Sequence, residues 1–416
     1  MRTDLLQRLN RWIRDSRTSG QGRPERSLPL AEGKADREAV GFGGAYPTSA
    51  AAAPREGADH GDYDIVVPRL RAEPWYVDQV TIERRFLRAV GWSMPVDVRP
   101  PPGGWFRVNG RAFDRIRYPL ARPDVGAVFW QRKGSTTCGF ECEIDDLPEP
   151  YPGGVLEITR VVSDTPRVAR GRDSWFAPDP ALHTNVPDDA RRYRVIGDRD
   201  LRGFLVSGAT DYHRLSRVLV EVAGRPLHAF PSVLDWGVGC GRLARHFPPA
   251  RAGALTGCDI DEDNVAWCAA NLPGTFVASR LVPPLPFDAD AFDLVYGISV
   301  FTHLREAMQL RWLEELARVT RPGAYLLMTT HGETAIDFSR LAPADYRRTR
   351  EEVAREGFVV SGANAQLDGH AEHGGEYVNV WHAADYVRRV WGRYFDVLHV
   401  IPGYILHHDL VVLRKP

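Results

Sequence analysis

The sequence predicts an α/β protein whose mostly parallel sheet is preceded by a smaller, β-sandwich-like domain. The parallel sheet is indicated by a buried strand at 232–236 that leads through three glycines into a helix, and by a second strand that ends in Asp259. The smaller domain is indicated by short segments between 74 and 165, rich in β-branched and aromatic residues and separated by turn signals such as PPGG and YPGG. Regular short strands with such turns favour a sandwich.

The GVGCG motif at 237–241 predicts a loop that binds a nucleotide-like ligand. Glycine permits tight turns and lets a ligand approach the main chain, and the start of the next helix offers free N–H groups. The spacing G-x-G-x-G differs from the G-x-G-x-x-G fingerprint of dinucleotide sites. Asp259, eighteen residues after Gly241, suits a ribose because a carboxylate can accept hydrogen bonds from both of its hydroxyls.

This pattern resembles the class I S-adenosylmethionine-dependent methyltransferases. Three later pieces carry the resemblance in the order of that family: FDLVYGISVFTHL at 292–304, the helix and Arg-Pro-Gly turn at 312–333, and the C-terminal YFDVLHVIPGYILHHDLVVLRKP. The match runs from about residue 204 to the C-terminus. It implies a Rossmann-like methyltransferase fold with a seven-stranded sheet, an antiparallel last hairpin, and S-adenosylmethionine as the cofactor.

The resemblance also implies which residues hold the cofactor. In this family the glycine loop wraps the amino-acid part of the cofactor, and the acid after the second strand holds the ribose. The expected cofactor-binding residues are Asp235, Gly237, Gly239, Gly241, Asp259, Ile260 and Ser299. Where the family often has an acid that reads the adenine, this chain has Ser279 and Arg280, so adenine recognition is expected to rest on main-chain groups and on stacking by Leu281 or Leu285.

Three histidines lie where the family places its acceptor contacts, and an oxygen acceptor usually needs a general base such as histidine. The candidates are His303 after the fourth strand, His331 after the fifth strand with Glu333 two residues on, and His382 in the segment that follows. Each has an alternative interpretation. His303 fits the first turn of a helix, His382 lies on an alternating, strand-like pattern, and Glu333 fits an exposed loop.

Composition excludes several classes of function. The chain of 416 residues has a net charge of −1, so it shows no global bias toward nucleic acid. No apolar run approaches the roughly 20 residues of a membrane span, and the N-terminus lacks the apolar core of a secretory signal. Five cysteines without framework spacing indicate reduced thiols. We therefore expect a cytoplasmic protein with a small-molecule or glycan acceptor, no nucleic-acid partner and no integral membrane segment.

Four parts of the chain are expected. They are a flexible tail at 1–73 with a short amphipathic helix, the β-rich accessory domain at 74–165, a linker at 166–203 and the methyltransferase domain at 204–416. The insertion at about 333–383 is long for a connection and is predicted to act as a binding lid. Neither the pair Cys138 and Cys142 nor the HAEH sequence at 370–373 makes a full ligand set, so no metal is expected.

The expected reaction is the O-methylation of a sugar, a glycan or another secondary metabolite. The accessory domain loosely resembles Ig-like modules beside glycan-modifying enzymes through GWSMP, RVNGR, ARPDVGAVF and GFECEI. Trp105, Tyr118 and Trp130 could form a sugar platform or could simply pack in a sandwich core. Two alternatives remain at this point: N-methylation of an amino sugar or small molecule, and a non-catalytic glycan- or partner-binding protein on a methyltransferase scaffold.

Overall fold

The computed structural model describes residues 73–94, 104–147, 155–162, 165–178, 185–339, 341–363 and 378–416. The predicted N-terminal helix and the HAEH sequence lie outside these residues. Among the helices within them, none is both long enough and apolar enough to cross a membrane.

The C-terminal half is built on a seven-stranded sheet in the order β11-β10-β9-β12-β13-β17-β16. The first five strands pair in parallel, whereas β17 is antiparallel to both β13 and β16. This confirms the predicted fold class, including the antiparallel last hairpin. The strands are β9 (Val233–Trp236), β10 (Leu255–Asp259), β11 (Thr275–Ala278), β12 (Phe292–Gly297), β13 (Thr320–Thr330), β16 (Asp396–Ile405) and β17 (His408–Arg414).

Helices cover both faces of this sheet because its central strands are apolar on both sides. Successive side chains of a strand point to opposite faces. Val233 of β9 accordingly packs in one buried cluster with Leu215 of the long helix, and Leu234 packs in the other with Leu316 and Trp391. The helices are α3 (Leu201–Ala223), α4 (Glu262–Asn271), α5 (Glu306–Val319) and α8 (Ala384–Trp391).

The β-rich part consists of two antiparallel four-stranded sheets, in the orders β1-β2-β6-β5 and β4-β3-β7-β8. Phe106 of one sheet and Phe140 of the other lie with ring centroids 4.2 Å apart inside a shared core. The strands are β1 (Trp75–Glu83), β2 (Phe86–Ser93), β3 (Phe106–Val108), β4 (Arg111–Ala112), β5 (Arg115–Leu120), β6 (Gly139–Ile144), β7 (Glu157–Arg160) and β8 (Ser174–Phe176). A short helix, α1 (Pro123–Val128), lies between β5 and β6.

The three aromatic residues considered for a sugar platform have packing roles in the structure. Trp105 and Tyr118 contact each other edge to face at 5.5 Å and pack against the sandwich core. The Tyr118 hydroxyl also donates a 2.9 Å hydrogen bond to the Ser93 carbonyl. Trp130 packs edge to face on Tyr346, 5.5 Å away in the C-terminal half. This arrangement favours the core interpretation.

The segment 166–203, expected to be a linker, differs from that expectation. It contains a 3-10 turn at Arg167–Asp173, then β8, and then helix α2 (Asp189–Ile196). Strand β8 completes the second small sheet by pairing with β7, and a buried ion pair between Arg160 and Asp173 lies beside it. A strand of three residues is too short to show a sequence period, which is why the β-rich part extends past the expected boundary at 165.

Buried polar contacts join the β-rich part to the C-terminal half. Arg132 pairs with Asp337 and with Glu73, and the side chains of Arg132 and Asp337 are only 6% and 1% exposed. The Gln131 amide donates to the Asp337 carbonyl at 3.1 Å. The Arg214 guanidinium donates to three backbone carbonyls, among them that of Arg172 at 2.8 Å. Because buried charges must be paired, these contacts fix how the two parts pack.

The insertion after β13 forms a compact subdomain at the edge of the sheet. It contains α6 (Glu333–Phe338), α7 (Pro343–Glu356) and an antiparallel pair of β14 (Phe358–Ala363) and β15 (Val378–His382). Helix α7 carries the charged sequence PADYRRTREEVARE. The His382 amide donates a 2.7 Å hydrogen bond to the His331 carbonyl, which ties the end of β15 to the end of β13. That this insertion acts as a lid stays a prediction.

Candidate active site

A cavity of about 570 Å³ opens at the carboxyl ends of β9, β10 and β12. Open parallel sheets bind their ligands at this edge, and the volume is in the usual range for a small-molecule site. Its wall includes six of the expected cofactor-binding and catalytic residues. These are Gly237, Gly239, Asp259, Ile260, Ser299 and His303.

Glycine is required at two positions of the loop for different structural reasons. At Gly239, φ is +53°, and a Cβ there would lie 2.8 Å from Val195 Cγ2, so the bare backbone keeps the loop close to the cavity. At Gly241, φ is +73°, and a Cβ would lie 2.2 Å from Leu272 Cδ1. Gly239 lines the cavity, whereas Gly241 does not. The missing Cβ at Gly241 lets the loop pack against the end of α4, and the expected contact of Gly241 with the cofactor stays a prediction.

Asp259 is the anchor of this loop. One carboxylate oxygen accepts a hydrogen bond from the Gly239 amide at 2.7 Å, and the other accepts one from the Asp261 amide at 2.9 Å. Burial raises the pKa of this carboxyl above its usual value, although these amides oppose the shift. A carboxylate has about four acceptor sites, so two remain for a ligand. Two free acceptor sites facing the cavity match a ribose diol.

Asp235 lies behind the wall of the cavity, not in it. Its carboxylate accepts a 2.9 Å hydrogen bond from the Tyr296 hydroxyl, and the two residues are paired across β9 and β12. Burial raises the pKa of Asp235 to about 7. The expected direct contact between Asp235 and the cofactor is therefore not seen in this arrangement, in which the side chain supports the loop from beneath.

Ser299 holds the loop after β12 in an unusual backbone conformation, with φ at +63°. Its amide donates to Thr329 Oγ1 at 2.7 Å, and its hydroxyl lies 3.3 Å from Nε2 of His303. Leu281 also lines the cavity, but Leu285 is buried in the core, where its amide donates to Glu315. Of the two leucines considered for adenine stacking, only Leu281 is in position.

The four candidate catalytic residues separate in the structure. His303 lies in the cavity wall, and burial lowers its pKa to about 4. His331 lies next to it, with ring centroids 6.0 Å apart, and burial also lowers its pKa. His382 is buried outside the cavity wall, and its Nε2 lies about 3.0 Å from the side-chain amide of Gln309. Glu333 is exposed and pairs with Arg350, so it does not orient His331.

Two further histidines next to His331 were missed. His407 lies in the turn between β16 and β17, and His408 is the first residue of β17; their ring centroids are 5.7 and 4.8 Å from that of His331. In the sequence the two histidines form the doublet of HHD, which we interpreted only as part of the last hairpin. The antiparallel pairing of β17 with β13 places this turn beside the carboxyl end of β13, and no periodicity could show that proximity.

The residues in the cavity fit S-adenosylmethionine, the cofactor implied by the sequence. The glycine loop presents its main chain to the cavity without a Cβ at 237 and 239. Asp259 offers acceptor sites to the ribose, and Leu281 and Trp312 supply apolar surface for an adenine. The chain thus has a group for each part of the cofactor.

Comparisons with known proteins agree with a methyltransferase assignment. Residues 233–323 match a family described as a methyltransferase domain. The chain is 32% identical over 120 residues to a phthiotriol/phenolphthiotriol dimycocerosates methyltransferase of Mycobacterium ulcerans, covering 28% of this chain and 41% of that protein. It is 36% identical over 100 residues to a fatty-acid O-methyltransferase of Mycolicibacterium smegmatis, covering 22% and 35%.

A third relative matches over a longer stretch. This probable S-adenosylmethionine-dependent methyltransferase of Mycolicibacterium smegmatis is 29% identical over 223 residues, which cover 48% of this chain and 79% of that protein. For the first two relatives, the chain spans less than half of their length. The matched region contains the glycine loop, Asp259 and His303, so residues 233–323 are similar to a methyltransferase domain and the chain is similar to S-adenosylmethionine-dependent methyltransferases.

Proposed function

We propose that this protein transfers a methyl group from S-adenosylmethionine to an oxygen atom of a small-molecule acceptor. The observation that carries the proposal is the cavity, which presents the glycine loop, Asp259 and His303 to one space. The bound cofactor supplies an activated methyl group on its sulfonium. The protein's part is then to hold the cofactor and to align the acceptor oxygen, and positioning of this kind can contribute several kcal/mol.

His303 is the best-placed proton acceptor, because it lines the cavity itself. Burial lowers its pKa to about 4, so the ring is neutral at neutral pH and able to take a proton. A base this weak is best matched to an acceptor that loses its proton readily, because catalytic proton transfer is most efficient when the pKa values suit the task. A phenol meets this condition better than an alcohol, and a carboxylic acid is already ionised at neutral pH and needs no base.

Two acceptor classes follow from different observations. The weak base and the name of the fatty-acid O-methyltransferase among the relatives favour a carboxylated lipid. The loose likeness of the β-rich part to modules of glycan-modifying enzymes favours a hydroxyl of a sugar or glycan. We place the carboxylated lipid first, since His303 belongs to the site itself, whereas the likeness lies in a different part of the chain.

Two further inferences concern the setting of the reaction. A net charge of −1 gives a polyanion no general attraction, so we infer that the acceptor is not a nucleic acid. All five cysteines are free and buried, a state compatible with a reducing compartment, and we infer that the protein acts in the cytoplasm.

The test is methyl transfer from methyl-labelled S-adenosylmethionine to a panel of fatty acids, phenols, sugars and oligosaccharides. We expect labelled product with the wild-type protein and a large loss with Asp259→Asn. Treatment of the product with base distinguishes the two classes, because a methyl ester is cleaved and a methyl ether is not. A base-stable label on a sugar would make the glycan the acceptor, and label on nitrogen alone would contradict the proposal.

A further inference from the structure

Three buried histidines meet at the carboxyl end of β13. They are His331 just after that strand, His407 in the turn between β16 and β17, and His408 at the start of β17. One ring nitrogen from each of them lies within 4.8 Å of the other two. Within the part of the chain that the structure describes, this is the one group of histidine, cysteine and carboxylate side chains with such a geometry.

The environment of these rings leaves polar atoms without hydrogen-bond partners. Among the described residues, neither Nε2 of His407 nor Nδ1 of His408 has one, and both atoms are buried. The two side chains are each about 8% exposed. A buried polar atom left without a partner costs on the order of 1–3 kcal/mol, so each such atom needs an explanation, and a bound ion is one.

We propose that His331, His407 and His408 form a binding site for a divalent transition-metal ion of the zinc class. Imidazole nitrogen is a preferred ligand of zinc, and three histidines with an open fourth position form a common arrangement. From the sequence we expected no metal, because the only possible ligands we considered were the cysteine pair and the HAEH sequence. The three ligands here come from two segments that the sheet brings together.

To bind an ion, the three ring nitrogens must move slightly closer together. Around a tetrahedral ion with bonds of about 2.1 Å, neighbouring ligand nitrogens are roughly 3.4 Å apart. Rotation about the side-chain torsions of three imidazoles can reduce the present spacing to that value.

The site lies directly behind the cavity. His303 lines the cavity, and its ring centroid is 6.0 Å from that of His331. The ring of Trp381 is 5.6 Å from His331, and the ring of Phe338 is 5.6 Å from His407, so aromatic side chains border the cluster. An ion held here would lie one side chain away from the cofactor cavity. Its binding does not depend on the proposed methyl transfer.

The experiment measures metal binding without any activity assay. Tag-free full-length protein is stripped with a chelator, titrated with cobalt(II) and followed by visible absorption, and its zinc content is determined after equilibration with zinc. We expect one equivalent of metal per chain and the absorption of tetrahedral cobalt. His407→Gln and His408→Gln should each weaken binding at least tenfold.

Two matched controls separate this site from others. His399→Gln changes a histidine of β16 that is not part of the cluster and should leave binding unchanged. The double variant His370→Gln/His373→Gln removes the HAEH histidines and should also bind normally. Equal binding by wild type and His407→Gln, or loss of binding in the HAEH variant, would overturn the proposal, as would the absence of stoichiometric binding.

A measurement on the wild-type protein avoids any folding defect of the variants. X-ray absorption of the zinc-loaded protein counts the ligands directly. We expect a first shell with three imidazole nitrogens. A shell that contains sulfur, or one without imidazole, would contradict the assignment.

Discussion

The Tyr296 hydroxyl donates a 2.9 Å hydrogen bond to the Asp235 carboxylate beneath the glycine loop. Both side chains are buried, and burial raises the pKa of Asp235 to about 7. Burial thus disfavours the ionised form of Asp235, and the hydrogen bond from Tyr296 partly offsets this effect. This relationship makes the stability of the protein depend on pH near neutrality.

The first prediction concerns Asp235→Asn. A carboxyl whose pKa is about 7 in the folded protein and near 3.8 when unfolded contributes stability that is complete below about pH 4. That contribution is lost as the pH rises to about 7 and then stays constant. The asparagine does not titrate, so the stability difference between wild type and variant should fall by at most about 4 kcal/mol across this window.

Urea unfolding of both proteins at about pH 5 and about pH 8 measures this difference. Asp293→Asn is the control, because Asp293 is partly exposed and paired with Arg321. Its stability difference from wild type should not follow the same curve. A pH-independent difference for Asp235→Asn would mean that the carboxyl titrates normally in the folded protein.

A second prediction separates crowding from backbone strain in the glycine loop. Gly239→Ala places a Cβ 2.8 Å from Val195 Cγ2 at a φ of +53°, so it should weaken S-adenosylhomocysteine binding and lower stability. Gly224→Ala has a similar φ of +70° with nothing within 4 Å of the new Cβ. It should cost only the left-handed strain of about 1–2 kcal/mol and leave binding intact. Equal binding by the two variants would remove the loop from the site.

The ion pair between Arg132 and Asp337 gives a third prediction. Asp337→Ala leaves Arg132 buried with one partner fewer, so it should lower the free energy of unfolding by about 3–5 kcal/mol. Asp345→Ala breaks an exposed pair with Arg348 in the same subdomain and should cost less than about 1 kcal/mol. Thermal unfolding of the two variants provides the comparison, and similar losses would show that the buried pair does not join the two parts.

A fourth prediction distinguishes two of the candidate histidines. With an acceptor that must lose a proton, such as a phenol, His303→Gln should lower kcat by about 100-fold or more while changing cofactor affinity little, because a positioned base acts in the chemical step. His382→Gln should instead lower stability, because it alters the buried hydrogen bonds with Gln309. Steady-state kinetics and thermal unfolding of both variants check this. If kcat falls with His382→Gln and not with His303→Gln, the roles are reversed.

The sequence predicted the parts of the site that lie within one short motif. The glycine loop follows β9, Asp259 ends β10 and His303 lies a few residues after β12, and the carboxyl ends of parallel strands meet at one edge. Contacts between distant segments could not be predicted in this way. His407 and His408 reach His331 only through strand pairing, and Asp235 turned away from the cavity because its pairing places it opposite Tyr296.

The limits of the β-rich part were harder to predict for a related reason. The composition indicated the core residues and the turns of this part. Strand β8, however, has only three residues and follows a segment of charged residues. Its place in the sheet depends on pairing with β7 and on the buried pair of Arg160 and Asp173. Neither is visible in a sequence window around β8.

The most direct test of the account is calorimetric titration of the protein with S-adenosylmethionine and S-adenosylhomocysteine. We predict micromolar binding of both to the wild type and at least tenfold weaker binding to Asp259→Asn, about 1.4 kcal/mol or more. The amide side chain cannot accept from Gly239 and Asp261 and also from a ribose. Asp293→Asn should bind like the wild type. Failure of the wild-type protein to bind either ligand, or equal binding by Asp259→Asn, would contradict the central claim that this cavity is the cofactor site.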